Sequence, residues 1–278
     1  MILRNPLKML LSVVCGNAVA LNSQSDSASP RYTSIIVSYP RSGSNFLQQV
    51  LSDNSEIKAS SLYGNLSAVR AADNLKSHAI SPEYLQDELS IIAGAACKQI
   101  RVIALIRDPR DVMISFYSYL LTRNGLSVSQ EQFLDIDWFY VLSHSESTRV
   151  HIRRCHLTPT SIGDAYKIFV RRWLDLVSNV SSSEIISDLI ISKYEDLMNN
   201  FDAEAPRLLH FIAGDKTSEK FKDKLIKTEK LVAKYSEEDR PRAQVSAWRN
   251  QVVQSRYAGL LEQVEERFKN EISFLGYD

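Results

Sequence analysis

The chain has 278 residues, 44% hydrophobic and 24% charged, with 33 Lys and Arg balanced by 33 Asp and Glu. That length holds one large α/β domain or two small ones, and zero net charge argues against a general nucleic-acid or anionic-membrane surface. Three cysteines, Cys15, Cys97 and Cys155, show no CxxC spacing; they point to neither a disulfide framework nor a zinc site and fit a reducing, cytoplasmic compartment. Residues 1–20 carry Arg4 and Lys8, an apolar run from Met9 to Val14 and the small residues Ala18-Val19-Ala20, the order of a secretory signal. The run is interrupted by Gly16 and Asn17 and is too short to span a bilayer. An amphipathic flanking helix is therefore the expectation, with a cleaved signal and a secretory compartment as the alternative. Asn22 to Pro30 reads as a linker, so the expected division is 1–30 for helix and linker and 31–278 for the domain.

Ser34 to Leu51, SIIVSYPRSGSNFLQQVL, begins with the β-branched run Ile35-Ile36-Val37 of a buried parallel strand. It turns through Tyr39 to Asn45, and from Phe46 the apolar positions Phe46, Leu47, Val50 and Leu51 recur at helical spacing. Strand, small-residue loop and helix in that order build an anion site. The N–H groups of the first helical turn converge, the helix dipole favours negative charge, and Gly43 permits close approach. Arg41, Ser42 and Ser44 add donors suited to phosphate. A Walker A loop is excluded, because Ser38 stands where its first Gly belongs and Ser44 where its Lys belongs.

Leu75-Lys76-Ser77-His78 follows a segment without clear assignment, and Ser81-Pro82 opens an expected helix to about Ala96. Val102 to Ile106 is a second continuous apolar strand, and Asp108-Pro109-Arg110 leads to a helix capped by Asp111 or starting just before it. From 122 to 162 no regular pattern emerges; the aromatic residues Trp138, Phe139 and Tyr140 lie among His and Arg. It reads as an acceptor wall and lid, or as a variable surface loop. Asp164 to Val180 is an amphipathic helix, Leu189 to Ile191 a third strand, and Ala203–Ala213, Thr217–Tyr235 and about Ser255–Leu275 are helices. No GxGxxG occurs, and no carboxylate pair or His spacing suggests a metal site.

The loop YPRSGSNF resembles the YPKSGTTW phosphosulfate loop of the sulfotransferases that use 3′-phosphoadenylyl sulfate (PAPS). The resemblance extends to Lys76-Ser77-His78 for that family's Lys-Thr-His, to Arg107 and Ser115 in RDPRDVMIS, and to Tyr194 in YEDL. It implies an α/β fold: a single P-loop-like domain with a central parallel β-sheet flanked by helices on both faces. It implies His78 as general base, Lys76 and Arg41 as stabilisers of the transferring group, and Ser42, Gly43, Ser44 and Asn45 around the 5′-phosphate. Phe46 takes the position of an adenine-stacking Trp, Arg107 and Ser115 hold the 3′-phosphate, and Tyr194 contacts adenine, a role compatible with a half-buried core position. The closing loop RKGxxGDWKN survives only as Trp248-Arg249-Asn250, with Ala243 and Ser246 replacing its glycines. Arg242, with Arg240 in reserve, would supply the second 3′-phosphate contact. The dimerisation motif KxxxTVxxxE is not evident.

The implied activity is transfer of a sulfuryl group to a hydroxyl or amine of a small-molecule acceptor, leaving adenosine 3′,5′-bisphosphate (PAP) without need of a metal. Neither a nucleic-acid partner nor stable membrane insertion is expected. A carbohydrate or protein sulfotransferase of a secretory compartment is the alternative, and a P-loop nucleotide kinase the third reading, against which the missing Walker lysine stands.

Overall fold

The structure is a computed structural model, and it describes residues 33–53, 58–61, 74–85, 100–123, 127–138, 160–179, 186–213 and 245–278. Residues 1–30, the helix after its first turn at 82–85, the lid residues 139–159, the helix at 217–235, and Arg240 and Arg242 lie outside the described residues.

Among the described residues five parallel strands form one sheet in the order β2-β3-β1-β4-β5. They are β1 (Thr33–Ser38), β2 (Ala59–Ser61), β3 (Asn74–Ser77), β4 (Ile100–Ile106) and β5 (Ile186–Lys193). Between and after them run α1 (Ser44–Asp53), α2 (Pro109–Arg123), α3 (Ile162–Val177), α4 (Tyr194–Asn199) and α5 (Phe201–Ala213). The chain ends in α6 (Gln251–Arg256), α7 (Ala258–Arg267) and α8 (Lys269–Phe274).

Side-chain alternation along the central strands divides the core into two layers. Ile35, Val37, Val102, Ala104 and Ile106 face α2, α3 and the C-terminal helices, where Tyr166, Phe169, Trp173, Leu260, Val264 and Phe268 are buried. Ile36, Ile103 and Leu105 face Leu47, Val50 and Leu51 of α1 and Leu208, Leu209 and Ile212 of α5. Helices thus cover both faces, as an all-parallel sheet requires.

Several boundaries differ from the sequence reading. The first helix begins at Ser44 rather than Phe46, because the Leu47 N–H already reaches the Gly43 carbonyl at 3.1 Å. Of the two starts expected for α2, the structure has the one just before Asp111: the helix begins at Pro109 and Asp108 caps it, its carboxylate accepting the Arg110 N–H at 2.9 Å and its carbonyl the Val112 N–H at 3.0 Å. The third helix starts at Ile162, where the Ser161 side chain accepts from the Asp164 N–H. The single C-terminal helix is broken at Tyr257 and Phe268, whose backbones leave helical geometry while their rings are buried. Within the expected lid, Trp138 is core: it is 2% exposed, with its ring against Tyr39 and Phe116.

Candidate active site

The candidate groups that can be placed lie at the carboxyl ends of β1, β3, β4 and β5, in the turns that follow, or in the first turns of α1 and α2, the edge where open parallel sheets bind ligands. Tyr39, first in the loop after β1, is fully buried and donates to the Ile162 carbonyl at 2.9 Å. The Ser42 N–H closes a turn on the Tyr39 carbonyl at 3.1 Å. Arg41 and Gly43 take positive φ, +73° and +96°. A left-handed arginine costs energy, and such strain is concentrated at ligand-binding loops. Ser42 Oγ is buried and has no hydrogen-bond partner among the described residues. An orphaned hydroxyl beside a helix N-terminus is what an anion would satisfy.

Strand β3 delivers Lys76 and His78. Register with β1 sets Lys76 beside Ile36, so the strand ends level with the loop. The Lys76 ammonium donates to Asn45 Oδ1 in the first turn of α1, and burial lowers its pKa. His78 Nδ1 lies 2.9 Å from the Ser38 carbonyl oxygen and 3.3 Å from the Ser38 hydroxyl. A carbonyl only accepts, so Nδ1 carries the proton and Nε2 is the basic nitrogen. The turn is fixed from both sides, by Ala79 N–H donating to Ser77 Oγ at 3.0 Å and by the Trp173 indole donating to the Ala79 carbonyl at 3.1 Å.

Strand β4 delivers Arg107, which is 1% exposed. Its Nη1 donates to the Arg41 carbonyl at 3.2 Å, its guanidinium carbon lies 4.5 Å from the centroid of the Tyr194 ring, and Nη2 is 3.7 Å from Asp111 Oδ2. Tyr166 of α3 donates to the Arg107 carbonyl at 2.9 Å. Arg41 in turn donates from Nε to Ser115 Oγ at 3.3 Å and lies over the Tyr119 ring. The loop after β1 and the segment after β4 are therefore joined by direct contacts.

At the end of β5, Tyr194 is buried between the two loops, with Phe46 edge-on to its ring at 6.1 Å. Its ring also lies against the Arg107 guanidinium, and a Cβ on Gly43 would meet it. Behind it, Glu195 accepts from the Asp108 N–H at 3.1 Å and from the Tyr277 hydroxyl at 2.7 Å. Burial raises the pKa of both Glu195 and Tyr277. Trp248 docks on the first turn of α2: its N–H reaches Asp111 at 3.1 Å, its indole reaches Asp108 at 3.1 Å, and its ring stacks on Arg110 at 3.7 Å. Ser246, just before it, has φ +56°.

With this geometry, the sequence match over residues 32–273 is to the sulfotransferase domain family. The chain belongs to that family. Among solved structures it is similar to mouse sulfotransferase SULT7A1 complexed with PAP, at 14% identity and a TM-score of 0.47, covering 87% of this chain and 86% of that one. No curated protein matches it by sequence.

The sulfotransferase domain brings Arg41, Ser42, Gly43, Ser44, Asn45, Lys76, His78, Arg107, Ser115 and Tyr194 to one sheet edge, with Phe46 beside Tyr194. Sequence reasoning missed Ser38 as the partner of His78, and it missed α3 as the backing of the site through Ile162, Tyr166 and Trp173. It also missed the docking of Trp248 on Asp108 and Asp111; no spacing marks contacts made across 137 residues or more. Among the described residues no cluster of His, Cys, Asp and Glu could hold a metal ion, and no helix is long and apolar enough to cross a membrane.

Proposed function

We propose that this sulfotransferase domain moves the sulfuryl group of PAPS to a hydroxyl or amine of a small-molecule acceptor, with His78 as general base. The observation that carries the reading is the bond from His78 Nδ1 to the Ser38 carbonyl at the lip of the phosphate loop. It fixes the tautomer a base needs, with the accepting nitrogen at Nε2.

The residues fit the donor. Ser42, Gly43, Ser44 and Asn45 offer hydroxyls and helix N-terminal N–H groups for the 5′-phosphate, and the orphaned Ser42 Oγ is among them. Arg107 and Ser115 supply a second, separate cationic and hydroxyl pair for the 3′-phosphate, with Arg242 or Arg240 as a further contact. Phe46 supplies a stacking surface for adenine. When bound, PAPS supplies an activated sulfuryl group on its 5′-phosphate. His78 takes the acceptor proton at Nε2 as the acceptor–sulfur bond forms, and the electron pair of the breaking bond leaves with the 5′-phosphate. Arg41, Lys76 and the loop N–H groups stabilise the charge that develops there. The tie from Lys76 to Asn45 holds the ammonium against the loop before any ligand arrives, so little reorganisation is needed. The three cysteines without CxxC spacing favour a reducing, cytoplasmic setting.

Calorimetric titration of the purified chain with PAP, alongside ATP with Mg²⁺, tests the reading. Binding of PAP without metal, and no comparable ATP binding, is expected. Preference for ATP with Mg²⁺ would return the loop to a kinase.

A further inference from the structure

Asp111 stands apart from the other carboxylates around the second phosphate motif. Asp108 is bound by Arg110 through Nε at 3.0 Å and Nη2 at 2.8 Å, and also by the Trp248 indole. Glu195 is bound by the Asp108 N–H and the Tyr277 hydroxyl. Asp111 is anchored through Oδ1, which accepts the Trp248 N–H. Its other oxygen is buried, makes no hydrogen bond among the described residues, and faces Arg107 at 3.7 Å, an ion-pair distance. Capping does not account for a carboxylate here, since Asp108 caps α2.

We infer that Asp111 is an internal counter-ion to Arg107, a positioning residue that lowers the site's affinity for the phosphate at Arg107 and so eases release of the bisphosphate product. The inference rests on the reading of Arg107 as an anion-facing group. An incoming phosphate meets a guanidinium whose charge is already countered, and it meets a second negative charge close behind. In a partly desolvated site, a like charge a few ångströms away weakens binding substantially. The same geometry makes the effect dependent on protonation. Burial pushes the Asp111 carboxyl up to about 6; Asp108 and Glu195 add to the rise, while Arg107 and the Trp248 N–H oppose it. Below that pH the carboxyl is neutral and the opposition to an anion disappears. Anion binding should itself draw a proton onto Asp111, since linkage is reciprocal.

The test compares the wild-type chain with Asp111→Asn, which keeps the shape and an acceptor for the Trp248 N–H. Affinities for PAP and for inorganic sulfate, which stays fully ionised, are measured by calorimetry at pH 5.5 and 7.5. At pH 7.5 the variant should bind about tenfold tighter, and at pH 5.5 the two proteins should converge. Groups common to both proteins contribute equally to their pH dependence, so the ratio of the two isolates Asp111. Equal or weaker binding by the variant at pH 7.5 would overturn the inference. Sulfate binding without PAP binding would reject the donor reading alone, and the sulfate ratio would still decide on Asp111. If Asp111→Asn does not fold, sulfate is titrated into His78→Gln at pH 6.5 in two buffers of different ionisation enthalpy. Net proton uptake is expected, and its absence overturns the inference.

Discussion

The ring of Tyr194 fills the space that any side chain on Gly43 would need. A Cβ built on Gly43 would lie 2.3 Å from Tyr194 Cδ2 and 2.5 Å from Cε2, at a backbone φ of +96°. The same ring lies against the Arg107 guanidinium, so one side chain sets the spacing between the loop after β1 and the end of β4. Gly43→Ala combines left-handed strain of about 1–2 kcal/mol with overpacking of about 1–3 kcal/mol. A loss of roughly 2–4 kcal/mol in unfolding free energy is expected, together with loss of PAP binding as Tyr194 and Arg107 shift. Denaturant unfolding and calorimetry would show it. A variant of wild-type stability would mean that the ring does not pack as described.

His78→Ala separates chemistry from binding. The imidazole is half-buried, with Nδ1 on the Ser38 carbonyl. Its removal should leave PAP affinity within about twofold and lower the transfer rate by about 10²–10⁴, the usual worth of a positioned general base. Rapid-quench assay of sulfuryl transfer at saturating donor measures this. Undiminished turnover would take the base role away from His78.

How much of the fold and the site is legible in the chain follows from the residues. The runs Ile35–Val37 and Val102–Ile106 stand out because strands buried on both faces must be apolar throughout. Strand β3 escapes recognition because only four residues, Asn74–Ser77, form it, and two of the buried ones are polar: Asn74 reaches Ser34 across the sheet at 2.9 Å, and Ser77 holds the Ala79 N–H. Yet the candidate residues at its end, Lys76 and His78, can be picked out, since their order along the chain resembles a family motif independently of the strand. Asp111 is the one cap the spacing suggests; that Asp108 takes the Arg110 N–H instead is a local contact that residue spacing does not reveal. The break at Phe268 arises from the burial of that ring against Tyr166 and leaves no mark in a continuous helical periodicity.

Ser246 occupies a position where the family pattern has glycine, and the backbone there has kept the glycine conformation, φ +56° and ψ +35°. Its carbonyl accepts the Arg249 N–H at 3.0 Å, which closes the turn that presents Trp248 to Asp111. Serine carries the left-handed cost without a compensating side-chain cap. Ser246→Gly relieves about 1–2 kcal/mol of strain and gives back part of it as unfolded-chain entropy, for a net gain of about 0.5–1 kcal/mol. A higher denaturant midpoint at unchanged slope would confirm the gain. A lower midpoint would show that the serine side chain contributes something the turn geometry does not reveal.

Asp111 also predicts how stability changes with pH. A carboxyl whose pKa rises from 3.8 to about 6 on folding holds its proton more tightly in the native state than in the unfolded one. Its stabilising contribution is complete below about pH 4, declines as the unfolded state ionises first, and is exhausted above about pH 6. Two units correspond to about 3 kcal/mol at most. Asp164 and Glu204 act in the opposite sense. Burial raises them, but hydrogen bonds from Ser161 and Arg267, and from Arg207 and Ser192, hold them below the usual carboxylate range. Their contribution is lost as pH falls, so the wild-type profile mixes both trends. The difference between Asp111→Asn and wild type removes the common part. The variant should gain up to about 3 kcal/mol relative to wild type between about pH 4 and pH 6.5, because a neutral amide carries no ionisation cost in that buried position. Urea unfolding at four or five pH values measures it. A difference that stays constant across this range would mean that Arg107 compensates the buried charge in full, and that Asp111 ionises in the native protein as it does in the unfolded chain.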